Sequence, residues 1–196
     1  MLGRGWSRAC AAAVVALAAS GCAMLSHGGP AAESTDPAPT IARSIWGIVP
    51  SAPPRKADLR PELIRGSAVA VGADTLLATC EVVGQRRRVG LVRHNKYRLA
   101  RVAGTDADGR LCALEVAEGP LIPATGWRSF EDLRVGEPVF AFTSRSSADL
   151  DLARGRLAAK SEMGDPFLET TLVLPPRAQS AVLFDGDGNL IGLGSA

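Results

Sequence analysis

The chain has 196 residues, of which 46% are hydrophobic, 21% charged and 5% aromatic, with 21 Gly and 13 Pro. That composition excludes a coiled coil, a multi-pass membrane protein, a collagen-like repeat and a wholly disordered chain, and the length suits one compact domain plus a tail. Lys and Arg number 22 against 20 Asp and Glu; with Arg4 and Arg8 set aside in a leader the charges balance, which argues against a nucleic-acid partner because phosphate binding needs a concentrated basic face.

Residues 1–21 read as a signal peptide: Arg4 and Arg8 form a positive start, AAAVVALAA an apolar stretch, and Ala19-Ser20-Gly21 a small-residue cleavage site before Cys22. The apolar stretch is too short for a membrane span, which needs about 20 residues. The string LAASGC resembles the bacterial lipobox, although Ala19 stands where that pattern prefers Leu. The resemblance implies that Cys22 is lipidated and becomes the mature N-terminus; ordinary cleavage near Ala23 is the alternative. With Ala23 rather than Asp after the cysteine, the expected location is the cell envelope, lipid-anchored to the outer membrane and facing the periplasm.

Residues 22–63 are rich in Ala, Pro, Ser and Gly and read as a lipid-anchored linker, since such a stretch cannot bury a core of its own. One island, Ser44 to Ser51 within IARSIWGIVPSA, has the β-branched and aromatic mix of a strand and is a candidate first strand of the domain. From Gly66 onward come short apolar runs, AVAVG, TLLAT, VGLV, LCALEV, VFAFT, ETTLVL, SAVLF and LIGLG, punctuated by the turn signals GAD, GTDADG and DGDGN. Many short strands at this spacing predict an all-β sandwich or barrel. Of the four cysteines, Cys10 leaves with the leader and Cys22 takes lipid. Cys80 and Cys112 then either pair in an oxidising compartment or are buried separately as small apolar residues.

Four segments occur in a recognisable order: GSAVAVGADTLLATCEVVG, RLARVAGTDADGRLCALEV, LRVGEPVFAFTSRSSADLDLARGRLA and ETTLVLPPRAQSAVLFDGDGNLIGLGS. Together they resemble the trypsin-like serine protease family, in particular bacterial peptidase domains of the HtrA type, with their LTNCHVV, DLCLL, LRVG and SSGGGLFDxxGRLIGI motifs. The resemblance implies a trypsin-like double β-barrel over residues 64–196. Because relatives carry a further strand after LIGI, the expected C-terminal barrel is incomplete.

The three catalytic positions are occupied by other residues. Glu81 stands at the histidine position, Arg110 at the aspartate and Gln179 at the serine. The triad needs an imidazole of pKa near 6.5 to take the serine proton while a carboxylate orients it, and a glutamate of pKa about 4.3 is a poor base at neutral pH. A glutamine amide supplies no nucleophile. Arg177, Ser180, Ala181 and Val182 replace glycines of the oxyanion turn, which restricts positive-φ geometry there. Asp108 lies two residues before Arg110 on the same strand face. Ser180 is the one alternative nucleophile. His94, in RHNKY, reads as a turn residue, and His27 lies in the linker, so no metal set and no cofactor are expected.

In the trypsin-like frame Cys80 and Cys112 flank the triad, which implies that they meet as a disulfide. Glu81, Arg110 and Gln179 are expected to form a polar cluster filling the former active site. Arg86, Arg87 and Arg88 read as a solvated charge run, Trp46 and Trp127 as packing residues, and Thr170 and Thr171 as strand residues near the cleft. The functional expectation is an exported lipoprotein, not a protease, working as a binding or scaffold module with a protein partner. The alternatives are an active serine endopeptidase using Ser180 and a purely structural envelope lipoprotein.

Overall fold

The structure, a computed structural model, describes residues 37–50, 61–161 and 166–195. The leader, Cys22, His27 and most of the expected linker lie outside these residues. Eleven strands dominate: β1 (Ile45–Val49), β2 (Gly66–Ala70), β3 (Thr75–Thr79), β4 (Arg88–Arg93), β5 (Lys96–Thr105), β6 (Leu111–Val116), β7 (Pro138–Ser144), β8 (Leu150–Ser161), β9 (Phe167–Thr170), β10 (Ser180–Asp185) and β11 (Leu190–Ser195). Two single-turn helices accompany them, α1 (Ala38–Ile41) and α2 (Cys80–Val83).

The first six strands close into a barrel in the order β1-β2-β3-β6-β5-β4, and the remaining five form an open sheet in the order β11-β10-β7-β8-β9. A closed barrel followed by an open sheet matches the double barrel with an incomplete second half that the sequence resemblance implies. The candidate strand between Ser44 and Ser51 closes the first barrel: β1 pairs antiparallel with β2 on one side and with β4 on the other. The folded domain therefore starts before residue 64, and α1 and β1 belong to it.

β1 and β2 are buried along their whole length, which explains why they read as continuous apolar runs rather than as alternation. Trp46, Ile48, Ala68 and Ala70 point into the barrel with Leu76, Leu91, Ala100 and Leu114. The alanines fit a six-stranded barrel too narrow for large side chains from every strand. Ile45 and Val69, of opposite parity, join Ile41, Phe142, Val182, Phe184 and Leu190 in a second cluster shared with the open sheet. There the rings of Phe142 and Phe184 meet edge to face at 5.8 Å.

A polar joint ties the barrel to the sheet. The N–H of buried Ser67 on β2 donates to Ser180 Oγ on β10 at 2.8 Å, and Ser67 Oγ accepts from the N–H of Ser144 on β7 at 2.8 Å. Gly66 permits this approach: a Cβ there would stand 2.5 Å from Ser180 Oγ and 2.6 Å from Val82 Cγ1.

Three expectations are corrected by local hydrogen bonding. The run ETTLVL is a strand only as far as Thr170, because Thr171 turns back to β8, its N–H donating to Arg156 O and its Oγ1 accepting from Arg156 N–H, each at 2.9 Å. Asp108 is not on a strand face but in the turn between β5 and β6. That turn is organised by Asp106, whose Oδ1 accepts from the N–H groups of Arg110 and Leu111 at 2.7 and 2.9 Å. Trp46 packs as expected at 4% exposure, whereas Trp127 is 68% exposed and only its backbone engages, in a bridge to Leu190.

Candidate functional site

The site begins with the pairing of β3 and β6. Their register sets Ala78 opposite Cys112 and Thr79 opposite Leu111, and the N–H of Cys80 donates to Arg110 O at 2.7 Å. The residue that opens α2 is thus held beside the start of β6. Cys80 and Cys112 are joined as a disulfide across this junction, with their Cα atoms 5.0 Å apart. Glu81, on the first turn of α2, and Arg110, at the end of the Asp106 turn, stand on either side of it.

Both line a cleft of about 930 Å³ that runs from the α2 end of the barrel onto the open sheet. The sheet contributes apolar side chains, among them Leu168, Leu172, Leu183, Ile191 and Leu193, with Phe130 at one wall. β9 and β11, the two outer strands of the sheet, both contribute to its lining. Thr170 lines the cleft as well, while Thr171 is engaged with Arg156.

The expected polar cluster is not formed. Among the described residues no hydrogen bond or ion pair links Glu81, Arg110 and Gln179. Arg110 pairs instead with Asp108 at 3.8 Å, with both side chains more than half exposed, and Glu81 and Gln179 are exposed. The physical reason is solvent: a pair open to water gains about 0–1 kcal/mol, too little to hold long side chains in one geometry. The charge reversal at the first two positions therefore does not build a buried ion pair.

Ser180 is buried to 1% exposure, with its Oγ committed to the Ser67 N–H. The preceding turn is closed by the Ala178 N–H donating to Pro175 O at 2.9 Å. Among the described residues the only non-glycine positions with positive φ are His94 and Asn95, at 45° and 58°. They form the two-residue turn between β4 and β5, where mirror-image turn geometry matches strand twist. His94 lines two other cavities and not this cleft. Arg87 and Arg88 are exposed, and Arg86 donates to Val83 O at 3.0 Å.

Sequence reasoning missed a charged network beneath the β10–β11 turn. Arg128 Nη1 reaches Glu137 Oε2 at 2.9 Å and Asp185 Oδ2 at 3.3 Å. Asp185, 1% exposed, also accepts from the N–H groups of Asp187 and Asn189 through Oδ1 and from Asn189 Nδ2 through Oδ2. Burial works to raise its pKa, but the hydrogen bonds from Asn189, Arg128 and Asp187 outweigh it and hold the carboxyl below its usual range. The turn signal DGDGN was the visible trace of this arrangement.

Among the described residues no group of His, Cys, Asp and Glu could hold a metal, and no helix is long and apolar enough to cross a membrane. No curated protein matches the sequence. Among solved structures, the HtrA-type protease AlgW with a decapeptide superposes with a TM-score of 0.65 at 19% identity, covering 83% of this chain and 58% of that one. An AlgW variant with a tripeptide gives 0.65 at 19% identity, covering 82% and 53%. The chain thus spans little more than half the length of these proteases, and the likeness is one of fold. The family model described as trypsin-like peptidase domain matches residues 66–193. With that match over most of the chain, on a closed barrel followed by a half-barrel, the protein belongs to the trypsin-like peptidase family.

Proposed function

We propose that this trypsin-like peptidase domain has given up hydrolysis and works as a binding module of the cell envelope, anchored by lipid at Cys22. The observation that carries the reading is the chemistry at the former catalytic positions. Glu81, Arg110 and Gln179 occupy them, the single described histidine lines other cavities, and the nearest serine has its hydroxyl buried in a structural hydrogen bond. Triad-type acyl transfer works by coupling an exposed nucleophile to a base that a third group orients.

The cleft remains and is mostly apolar, which suits a protein segment bound in extended form beside the sheet. Phe167, 48% exposed, lines it, and Val173, 84% exposed, sits in the chain between the lining residues Leu172 and Leu174. The test is photocrosslinking in envelopes from a reactive side chain placed at Val173 or Phe167, with position 118 as a control away from the cleft. A discrete adduct from the cleft positions alone supports the binding module. Adducts of equal yield at all three positions, or none, favour a structural lipoprotein without a specific ligand.

A further inference from the structure

A second cavity, of about 170 Å³, lies where β1, the β4–β5 turn and the segment after β6 meet. Its basic members are Arg93, His94, Lys96 and Arg98, its base is the Trp46 ring, and Ile122 stands at the rim, 51% exposed. The placement follows from register. β1 pairs with β4 so that Gly47 faces Val92, and one rung further Trp46 falls beside Arg93. Arg93 and Lys96 face each other across the turn.

The charges here are not balanced. The Arg93 guanidinium lies 5.9 Å from the Trp46 ring centre and that of Arg98 5.1 Å away. A cation–π contact steadies a guanidinium but does not neutralise it. Arg98 donates to the carbonyls of Gly119 and Pro120, at 2.9 and 3.5 Å. The Arg93 and Lys96 side chains make no hydrogen bond or ion pair among the described residues, and no carboxylate is among the lining residues of the cavity. Asp149, which lines the adjoining cavity with Arg93 and His94, is held by Arg145 and by the Ser146 hydroxyl.

Two buried donors add an independent observation. Trp46 Nε1 and Arg93 Nε are shielded from solvent and have no acceptor among the described residues. Buried donors almost always find an acceptor, so orphaned ones mark a place where a water or an ion belongs. Water could accept a hydrogen bond but would leave the cations uncompensated. Burial, and after it the neighbouring Arg43, lowers the pKa of Arg93. An anion would reverse that penalty.

We infer that this cavity is a binding site for a phosphate-class oxyanion, clasped by Arg93 and Lys96 over the Trp46 ring, with Arg98 as the fixed wall. Phosphate suits it because its several acceptor oxygens and double charge match two unpaired cations, and a guanidinium can bind it in bidentate fashion. The phosphate is either free in solution or part of a lipid headgroup, for which the exposed Ile122 provides an apolar rim.

The test uses the full chain carrying Trp6→Phe and Trp127→Phe, which leaves Trp46 as the sole tryptophan. Inorganic phosphate should change Trp46 fluorescence saturably and raise the melting temperature, while chloride at equal ionic strength should do neither. Arg93→Gln should weaken binding by about tenfold or more, the loss of one hydrogen bond to a charged group. Lys96→Gln, at an exposed position whose ammonium makes no hydrogen bond or ion pair among the described residues, should weaken it severalfold and guards against misfolding of the Arg93 variant. In the second arm the Cys22→Ala chain is sedimented with phosphatidylglycerol or phosphatidylcholine vesicles. Retention on phosphatidylglycerol alone, lost in Arg93→Gln, without saturation by inorganic phosphate, identifies the headgroup as the source; saturation by inorganic phosphate identifies the free ion. Absence of both, or binding unchanged in the two variants, overturns the inference.

Discussion

Ser67 and Ser180, 113 residues apart in sequence, meet at 2.8 Å in a fully buried hydrogen bond that joins the barrel to the open sheet. The hydroxyl that could otherwise serve as a replacement nucleophile is thereby turned into the seam of the fold. Ser180→Ala should lower stability by about 1–3 kcal/mol, the cost of leaving the Ser67 N–H buried without a partner. Urea unfolding measures this, and a neutral substitution would show that the joint contributes nothing.

Gly66 tests the same seam from the other side. A methyl group there would press on both Ser180 Oγ and Val82, so Gly66→Ala should cost about 1–3 kcal/mol, as overpacking commonly does. Ser180→Ala removes one of the two contacts, so the pair of substitutions should be non-additive.

The Cys80–Cys112 bridge spans a sequence separation of 32. Removing it with Cys80→Ala and Cys112→Ala should cost about 3–4 kcal/mol by the loop-entropy account. Intact-mass measurement with and without reductant should show a two-proton gain, and two freely alkylated thiols in unreduced protein would contradict the bond.

Asp185 gives the protein an acid dependence. Its folded pKa is depressed, so its contribution is in place above the unfolded carboxyl value near 4 and is lost as pH falls through the lower folded value. Asp185→Asn should cost roughly 1.5–3 kcal/mol at neutral pH by weakening hydrogen bonds that a charged carboxylate accepts. Below about pH 4 the variant should lose less stability on acidification than the wild type. Denaturant titrations across a pH series measure the two slopes, and parallel slopes would contradict the assignment.

Much of the fold was legible because buried strands announce themselves. The continuous runs around Ile45–Val49 and Gly66–Ala70 are covered on both faces and read as apolar blocks. β5 and β8 escaped the list of apolar runs because arginines interrupt them, Arg98 and Arg101 on opposite faces of β5 and Arg154 and Arg156 on the exposed face of β8. The disulfide was legible only through the resemblance, since β3–β6 register is a long-range pairing. The polar cluster of Glu81, Arg110 and Gln179 failed because complementary charge in sequence says nothing about exposure. The Arg93–Trp46 contact was hidden for the opposite reason: it depends on β1 crossing to β4 to close the barrel.

The anchor at Cys22 is tested by labelling with palmitate. Two acyl chains on the cysteine hold a protein to a membrane where one chain does so only marginally. The wild type should therefore label and partition into detergent, and Cys22→Ala should not label and should be either released or left unprocessed. A soluble, unlabelled wild-type protein would contradict the anchor.

The central claim is that a trypsin-like peptidase domain is present without its hydrolytic chemistry. It is tested most directly by incubating the purified chain with a fluorophosphonate probe and a casein-derived peptide mixture, followed by intact-mass and peptide analysis. The account predicts no adduct and no cleavage, in the wild type and in Ser180→Ala alike. A stoichiometric adduct with peptide cleavage, both abolished by Ser180→Ala, would contradict it.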